Sequence, residues 1–213
     1  MTTKACVFDQ KCRRCPRLAS FLDEVKGQNP EYYAAPVPAF GDDDPALLIV
    51  GLAPGMHGAN ATGRPFTGDD SGAMLYETLY HYGFSSAAES VSGDDGLQLI
   101  NCRITNAVKC LPPQNKPATE EVKLCSPFLL AELQALKKGG VVVALGAIAH
   151  SAILRALEIK LAAHKFGHGN EFELPGGLVM IDSYHCSRYN TQTKRLTEWM
   201  FQAIFARAKE KIA

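Results

Sequence analysis

The sequence has no long apolar segment and no excess of charge of either sign. No run approaches the roughly 18 consecutive apolar residues that would cross a bilayer, and the polar start MTTKACVFDQKCRR lacks the apolar core of a secretory signal. The 213 residues include 22 basic and 22 acidic side chains, so the formal net charge is zero and gives no sign of a nucleic-acid partner. We therefore expect a cytoplasmic protein that does not bind membranes, with at most a local basic patch for any DNA. The candidates for that patch are Arg103, Lys109, Lys116, Arg188, Lys194 and Arg195.

Several nucleotide-binding signatures are also missing. The glycine-rich stretch has neither the spacing of a Walker phosphate loop nor GxGxxG, and the chain has no aspartate motif for magnesium. These absences speak against a nucleotide-dependent α/β enzyme. No internal repeat or low-complexity segment occurs, and 213 residues fit one domain over 1–213.

The most informative stretch is Leu47 to Gly72, LLIVGLAPGMHGANATGRPFTGDDSG. Four branched apolar residues are followed by a loop with many glycines and then by a predicted helix opening near Ala73, with Ser71 or an aspartate as its cap. A strand that feeds such a loop and a helix presents backbone amides at the carboxyl edge of a sheet, where anionic and heterocyclic ligands bind.

Apolar runs alternate with helical patterns along the rest of the chain. Strands are predicted at 47–50, 104–108, 141–145 and 178–181, and helices from Pro117 and over 147–157. The alternation predicts an α/β fold with a parallel sheet and helices on both faces. The stretch 160–177 is interpreted as a loop. A last amphipathic helix is predicted to bury a stripe that makes the single Trp a core residue: Leu196, Trp199, Met200, Ala203 and Ile204.

Four of the seven cysteines have a spacing suited to a metal centre. Cys12 and Cys15 form a CxxC, and Cys110 and Cys125 follow much later. Four thiolates can hold zinc or an iron–sulfur cluster, and the spacing alone does not separate the two. Cys6 is a competing ligand for Cys12. Cys102 and Cys186 are the other two cysteines.

Three ordered motifs resemble those of the uracil-DNA glycosylase superfamily, and most closely its iron–sulfur branch, family 5. The motifs are GLAPGMHGAN with TGRPFTGDDSG, then RITNAVKCLPP, then SYHCSRYNTQT. The resemblance implies a central four-stranded parallel sheet and a monomeric prokaryotic enzyme that works at the nucleoid. Its activity would be to flip uracil, and other deaminated bases such as hypoxanthine and xanthine, out of DNA and to hydrolyse the N-glycosidic bond. It also implies that Cys12, Cys15, Cys110 and Cys125 bind a 4Fe-4S cluster, which would tie the N-terminal segment to the middle of the chain.

The resemblance also implies the roles of individual residues. The flipped base would be held by Gly51, Ala53, Phe66, Asn106 and His185, with the Phe66 ring stacked on it. Asn106 can read O4 and N3–H of uracil because an amide offers both a donor and an acceptor. His185 would donate to O2 as negative charge develops on the departing base. DNA contacts would come from Gly55, His57, Ser187, Arg188 and Tyr189.

The water-activating residue is the point at which this chain departs from related branches. Related branches carry a carboxylate beside Gly51, where this chain has Leu52 and Ala53. Asp69 is the nearest carboxylate on the same loop and is expected to orient water or stabilise the sugar cation, with Asn106 and His185 as the other catalytic residues. Two alternatives stay open at this point: Asp69 is only a helix cap, or Asp70 acts instead.

Two other protein classes fit parts of the sequence. One is a non-catalytic iron–sulfur module that binds damaged or single-stranded DNA, with Leu52 marking lost activity. The other is an iron–sulfur redox protein, for which the sequence offers no second redox site.

Overall fold

A six-stranded sheet lies at the centre of the computed structural model, which describes residues 8–212. Its inner strands, all parallel to one another, are β2 (Leu47–Gly51), β3 (Cys102–Asn106), β4 (Val141–Leu145) and β6 (Leu178–Ser183). Two short strands pair antiparallel at the edges, β1 (Phe40–Gly41) beside β3 and β5 (Glu171–Leu174) beside β6. The predicted four-stranded parallel sheet is confirmed. The two edge strands were not predicted.

Helices cover both faces of this sheet. The α-helices of the described residues are α1 (Pro16–Gln28), α2 (Ala59–Thr62), α3 (Asp70–His81), α4 (Thr119–Ala135), α5 (Ala147–Ala156), α6 (Arg188–Gln192) and α7 (Glu198–Ile212). Short 3-10 turns lie at Pro113–Asn115, Leu161–Ala163 and Pro175–Gly177. Across residues 8–212, every helix is too short or too polar to cross a membrane.

The core divides into two layers because successive residues of a strand point to opposite faces. Leu48 and Val50 of β2 pack with α1, α4 and α5, whereas Leu47 and Ile49 pack with α3 and α7. All four side chains are almost completely buried, which explains why β2 is an unbroken apolar run rather than an alternating one.

The chain reverses direction of winding at the carboxyl end of β2. The strand order is β1-β3-β2-β4-β6-β5. The chain therefore leads from β2 to its neighbour β3 on one side, whereas β4 lies on the other side of β2. Ligands of open α/β sheets bind at such a reversal point. The glycine-rich loop predicted to carry the site begins there, at Gly51.

Two predictions about the second half of the chain are wrong. Trp199 is not a core residue: 76% of its surface is exposed, and α7 instead buries the adjacent stripe of Phe201, Ile204, Phe205 and Ala208. The stretch 160–177 is not only a loop, because it contains β5. That strand alternates exposed glutamates with apolar residues at the sheet edge, and its four residues give only a weak pattern.

Candidate active site

A cavity of about 330 Å³ opens at the carboxyl end of β2 and β3. Residues from all three sequence motifs line it, together with Asn115, which follows the second motif. The lining residues are Leu52, Ala53, Gly55, Ala59, Phe66, Asp69, Ser71, Asn106, Asn115, His185 and Ser187. Its size suits a small heterocyclic ligand. Segments that are more than a hundred residues apart in sequence therefore form one site.

Gly51 lies behind this cavity and makes room for two of its walls. The residue pairs with Asn106 in the β2–β3 register. A Cβ at this position would overlap Asn106 Oδ1 and stand 2.7 Å from the Phe66 ring. Glycine is therefore required at this point for the amide and the ring to approach the end of the strand.

Phe66 is held in an uncommon backbone conformation at the cavity wall. Its φ is 55°, a value that non-glycine residues rarely adopt. Gly72 on α3 permits this conformation, because a Cβ on Gly72 would overlap the Phe66 carbonyl. The Phe66 ring is 7% exposed and stacks on His185 with ring centroids 5.9 Å apart and planes at 28°. The uncommon backbone conformation of Phe66 thus fixes one aromatic face at the cavity wall.

Asn106 ends β3 with its side chain buried and one atom unsatisfied. The residue is 3% exposed, and its Oδ1 has no hydrogen-bond partner within residues 8–212. A buried polar atom left without a partner costs about 1–3 kcal/mol. A ligand donor such as an imide N–H would supply the missing bond.

His185 follows β6 and carries a second unsatisfied atom. Its Nδ1 is buried and has no hydrogen-bond partner among the described residues. Burial lowers the pKa of the imidazole from 6.5 to about 4, because the charged ring would lose its hydration. The ring is therefore neutral near pH 7 and keeps one N–H donor.

Asp69 is both a helix cap and part of the cavity wall. It is the N-cap of α3, where Gly72 N–H donates to its Oδ1 at 2.9 Å. Its Oδ2 lies against Gly55 and Gly58, and the residue lines the cavity. Burial raises the pKa of the carboxyl above 3.8, and hydrogen bonds from the Gly72 and Ser71 amides partly offset that rise. Asp70, in contrast, is exposed and does not line the cavity.

The predicted DNA contacts divide between the cavity and its surroundings. Gly55 and Ser187 line the cavity, whereas His57, Arg188 and Tyr189 do not. His57 is exposed, and its Nδ1 lies 2.7 Å from the Tyr32 hydroxyl. Arg188 is exposed with its Nε 3.6 Å from an Asp70 oxygen, and Tyr189 is 71% exposed at the start of α6.

Two members of the predicted basic patch do not belong to it. Lys109 is 1% exposed and its Nζ forms an ion pair with Glu132 at 2.8 Å, so it cannot reach a phosphate. Arg103 donates to the Asp42 carbonyl at 2.8 Å and pairs with Asp43 at the β1 edge. Sequence proximity to a motif did not predict which side chains are buried or already paired.

Sequence reasoning missed some of the residues that line the cavity. Ala59, Ser71 and Asn115 were not assigned to it, and Leu52 was noted only for the carboxylate it lacks. Asn115 lies in the turn after Pro112 and Pro113, where it has a φ of 55°. The double proline directly after the second motif was the available signal for a rigid turn at that point.

The four cysteines singled out by their spacing lie around one small cavity. Cys12 and Cys15 directly precede α1, Cys110 follows β3, and Cys125 lies on α4. Together the four cysteines line a space of about 20 Å³. Burial and the proximity of the other thiols raise the pKa of Cys15 to about 11 and that of Cys110 to about 12. Cys125 Sγ accepts a hydrogen bond from the Lys109 amide at 3.3 Å.

Two other cysteines do not join this group. Cys102 and Cys186 are buried elsewhere, in the layer formed with α3 and α7, and Cys6 lies outside the described residues. Within residues 8–212, no three His, Cys, Asp or Glu side chains come close enough to hold a single metal ion.

Comparison with known proteins identifies the family. The family model described as "Uracil DNA glycosylase superfamily" matches residues 38–209. The chain belongs to the uracil-DNA glycosylase superfamily. It is 49% identical over 203 residues to the type-5 uracil-DNA glycosylase of Thermus thermophilus, covering 93% of this chain and 92% of that protein. It is 43% identical over 201 residues to the type-5 enzyme of Pyrobaculum aerophilum, with 92% and 87% covered. It is 42% identical over 207 residues to that of Mycobacterium tuberculosis, with 93% and 77% covered.

Membership of the superfamily confirms the fold class and the family predicted from the three motifs. The matched residues 38–209 include the whole sheet and every residue that lines the cavity at β2. Cys12 and Cys15 precede the matched segment, but the Thermus thermophilus relative covers 93% of the chain. The roles of single residues stay predictions.

Proposed function

We propose that this protein removes uracil from DNA by hydrolysing the N-glycosidic bond. The single observation that carries the proposal is the pair of unsatisfied buried atoms, Asn106 Oδ1 and His185 Nδ1, beside one aromatic face. A uracil ring offers an N3–H donor, two carbonyl acceptors and a flat π surface. These groups would supply the hydrogen-bond and stacking partners that the side chains lack. A base inside a duplex cannot reach such a cavity, so the nucleotide must be flipped out of the stack.

Electrostatic stabilisation of the leaving base is the role proposed for His185. As the bond from C1′ to N1 breaks, its electron pair remains on uracil, and the negative charge spreads over the imide. A neutral histidine cannot easily deliver a proton, but its N–H can donate a hydrogen bond to O2. In a buried site such a donor contributes about 2.7–4 kcal/mol to lowering the barrier.

Water activation or cation stabilisation is the role proposed for Asp69. It is the one carboxylate among the described residues that line the cavity. Positive charge develops on the sugar at C1′ while water adds its oxygen there, and a carboxylate nearby can stabilise the cation or accept the water proton. One oxygen remains bound to the Gly72 amide, which leaves Oδ2 for the reaction.

Acceptance of hypoxanthine and xanthine is part of the proposal. These purines are larger than uracil, and the side chains next to β2 are Leu52 and Ala53 rather than a carboxylate. Leu52 and Ala53 therefore give the site an apolar wall, at a position where a carboxylate would repel the purine carbonyl oxygen. We attribute the wider base range to this wall.

A 4Fe-4S cluster is proposed for Cys12, Cys15, Cys110 and Cys125. The donor set fits, because four sulfurs surround one buried space and a cubane spreads its thiolates more widely than a single ion does. Their raised pKa values mean that these thiols are neutral when no metal is bound, whereas iron would stabilise the thiolates. The cluster would supply a cross-link from the N-terminal segment to α4 and no step of the hydrolysis. Within one domain over 1–213, closing so long a loop stabilises the fold.

Excision is tested by incubating the purified protein with oligonucleotides that carry one uracil opposite guanine, opposite adenine or in a single strand. Hot alkali should break the strand at the uracil position, and a matched thymine oligonucleotide should stay intact. Parallel duplexes with hypoxanthine or xanthine test the base range. Tight binding of the uracil strand with no alkali-labile site would instead identify a non-catalytic DNA-binding module.

A further inference from the structure

The backbone that leads into His185 is fixed by a histidine from a different loop. The amide of Tyr184, the residue directly before His185, donates to His168 Nδ1 at 3.0 Å. The rings of His168 and Tyr184 also stack, with centroids 5.0 Å apart and planes at 22°. His168 therefore holds the end of β6 at the point where the sheet ladder with β5 has already ended.

The loop that carries His168 is itself held to β6 on both sides. Gly167 N–H donates to Asp182 Oδ2 at 3.2 Å, and Gly169 N–H donates to the Asp182 carbonyl at 2.8 Å. Asp182 is completely buried and pairs with His150 at 2.8 Å. These bonds give His168 little freedom, so it can define the position of the backbone that it contacts.

The hydrogen bond to Tyr184 depends on the protonation state of His168. A backbone N–H can only donate, so Nδ1 must carry a free lone pair and the ring proton must lie on Nε2. Adding a proton to Nδ1 would place two donors face to face and break the bond. Burial lowers the pKa of His168 below 6.5, and a hydrogen bond to the Met200 backbone partly offsets that effect.

The charges around His168 do not reverse this preference. Glu171 on β5 and Arg207 on α7 line the same groove as His168, but they form an ion pair with each other at 2.6 Å. Arg195 lies over the Tyr184 ring at 4.7 Å and adds a positive charge near the stack. The Asp182 carboxylate is engaged by His150 and the Gly167 amide.

We propose that His168 is a positioning residue: its neutral ring sets the Tyr184 backbone, and through it the imidazole of His185, and protonation of His168 releases both. The inference rests on the proposed function for its catalytic consequence. As the pH falls through the pKa of His168, the excision rate should fall while DNA binding stays nearly unchanged. Displacing a reacting group by about 1 Å can cost up to 10²-fold in rate.

The test compares His168→Asn with His168→Ala, using His164→Asn from the same segment as the control. Asparagine keeps an acceptor atom at the position of Nδ1 but cannot titrate, whereas alanine removes the acceptor. At pH 8 we expect His168→Ala to lose about 10-fold or more in single-turnover rate, with DNA affinity within two-fold. His168→Asn should stay within about three-fold of the wild type and lose the fall in rate at low pH. Equal rates and equal pH profiles for all the proteins would overturn the proposal.

A second readout does not depend on activity. Imidazole ¹⁵N spectra at pH 8 should show an unprotonated Nδ1 for His168, and the His185 resonances should shift in His168→Ala but not in His168→Asn. A protonated Nδ1, or an unmoved His185 in the alanine variant, would reject the positioning role. If the wild type releases no uracil, the proposed function fails, and these spectra still decide whether His168 positions His185.

Discussion

Replacing His185 with alanine should slow excision while leaving DNA binding intact. The imidazole lines the cavity rather than the exposed surface around it, and phosphate contacts supply most of the affinity for DNA. Loss of one buried donor to the leaving base costs about 2.7–4 kcal/mol, or 10²–10³-fold in the single-turnover rate. Because the pKa of the ring is lowered to about 4, about one ring in 10³ is protonated at pH 7.

The assay is single-turnover excision from a uracil duplex between pH 7 and 9. A neutral donor predicts a rate that does not depend on the titration of His185 over this range. If the imidazolium form of His185 acted as a general acid, the rate would instead fall about tenfold for each unit by which the pH rises. His81→Ala, an exposed histidine on α3, is the control and should keep the wild-type rate. A His185→Ala variant within about three-fold of the wild type would refute the role of the donor. Thermal unfolding of each variant excludes a folding defect as the cause.

Four further outcomes follow from the site. Asp69→Asn keeps a good N-cap and so should unfold like the wild type, but it should lose activity on uracil and on hypoxanthine by similar factors, because both substrates share the sugar and the water. Glu77→Gln on the same helix should lose none, and a loss confined to one base would contradict the role proposed for Asp69. Gly51→Ala should abolish excision of either base, because its Cβ overlaps Asn106 Oδ1; a fully active variant would contradict the description of this wall. Cys125→Ser should lose iron and brown colour while Cys102→Ser keeps both, and a colourless wild type with one zinc would exclude the cluster. The slope of log K for DNA binding against log salt should be no steeper than about −6. A steeper slope would mean a larger basic face.

The fold was largely predictable because two of its inner strands, β2 and β4, are short apolar runs bounded by glycine or proline. Val141–Leu145 is one of these runs, and the register confirms it as a central strand. The edge strand Glu171–Leu174 was missed since exposed glutamates interrupt its apolar residues. Trp199 was misplaced because apolar residues spaced by three and four fit two neighbouring stripes of one helix, and the spacing does not decide which stripe faces the core.

The cavity was predictable only to the level of motifs. The three motifs predicted which segments meet, and the structure brings Asp69, Asn106 and His185 to the same space. The unpaired state of Asn106 Oδ1 depends on what surrounds it in three dimensions, so no sequence pattern could indicate it. The same holds for Lys109, whose partner Glu132 lies 23 residues away in the chain.

The most direct test of the account is a crystal structure of Asp69→Asn bound to a duplex that carries one uracil. We expect a uracil flipped into the cavity at the carboxyl end of β2, with N3 within hydrogen-bond distance of Asn106 Oδ1. Its O2 should accept from His185, and C1′ should face the side chain at position 69. A uracil that stays stacked in the duplex, or that binds away from Asn106 and His185, would contradict the account.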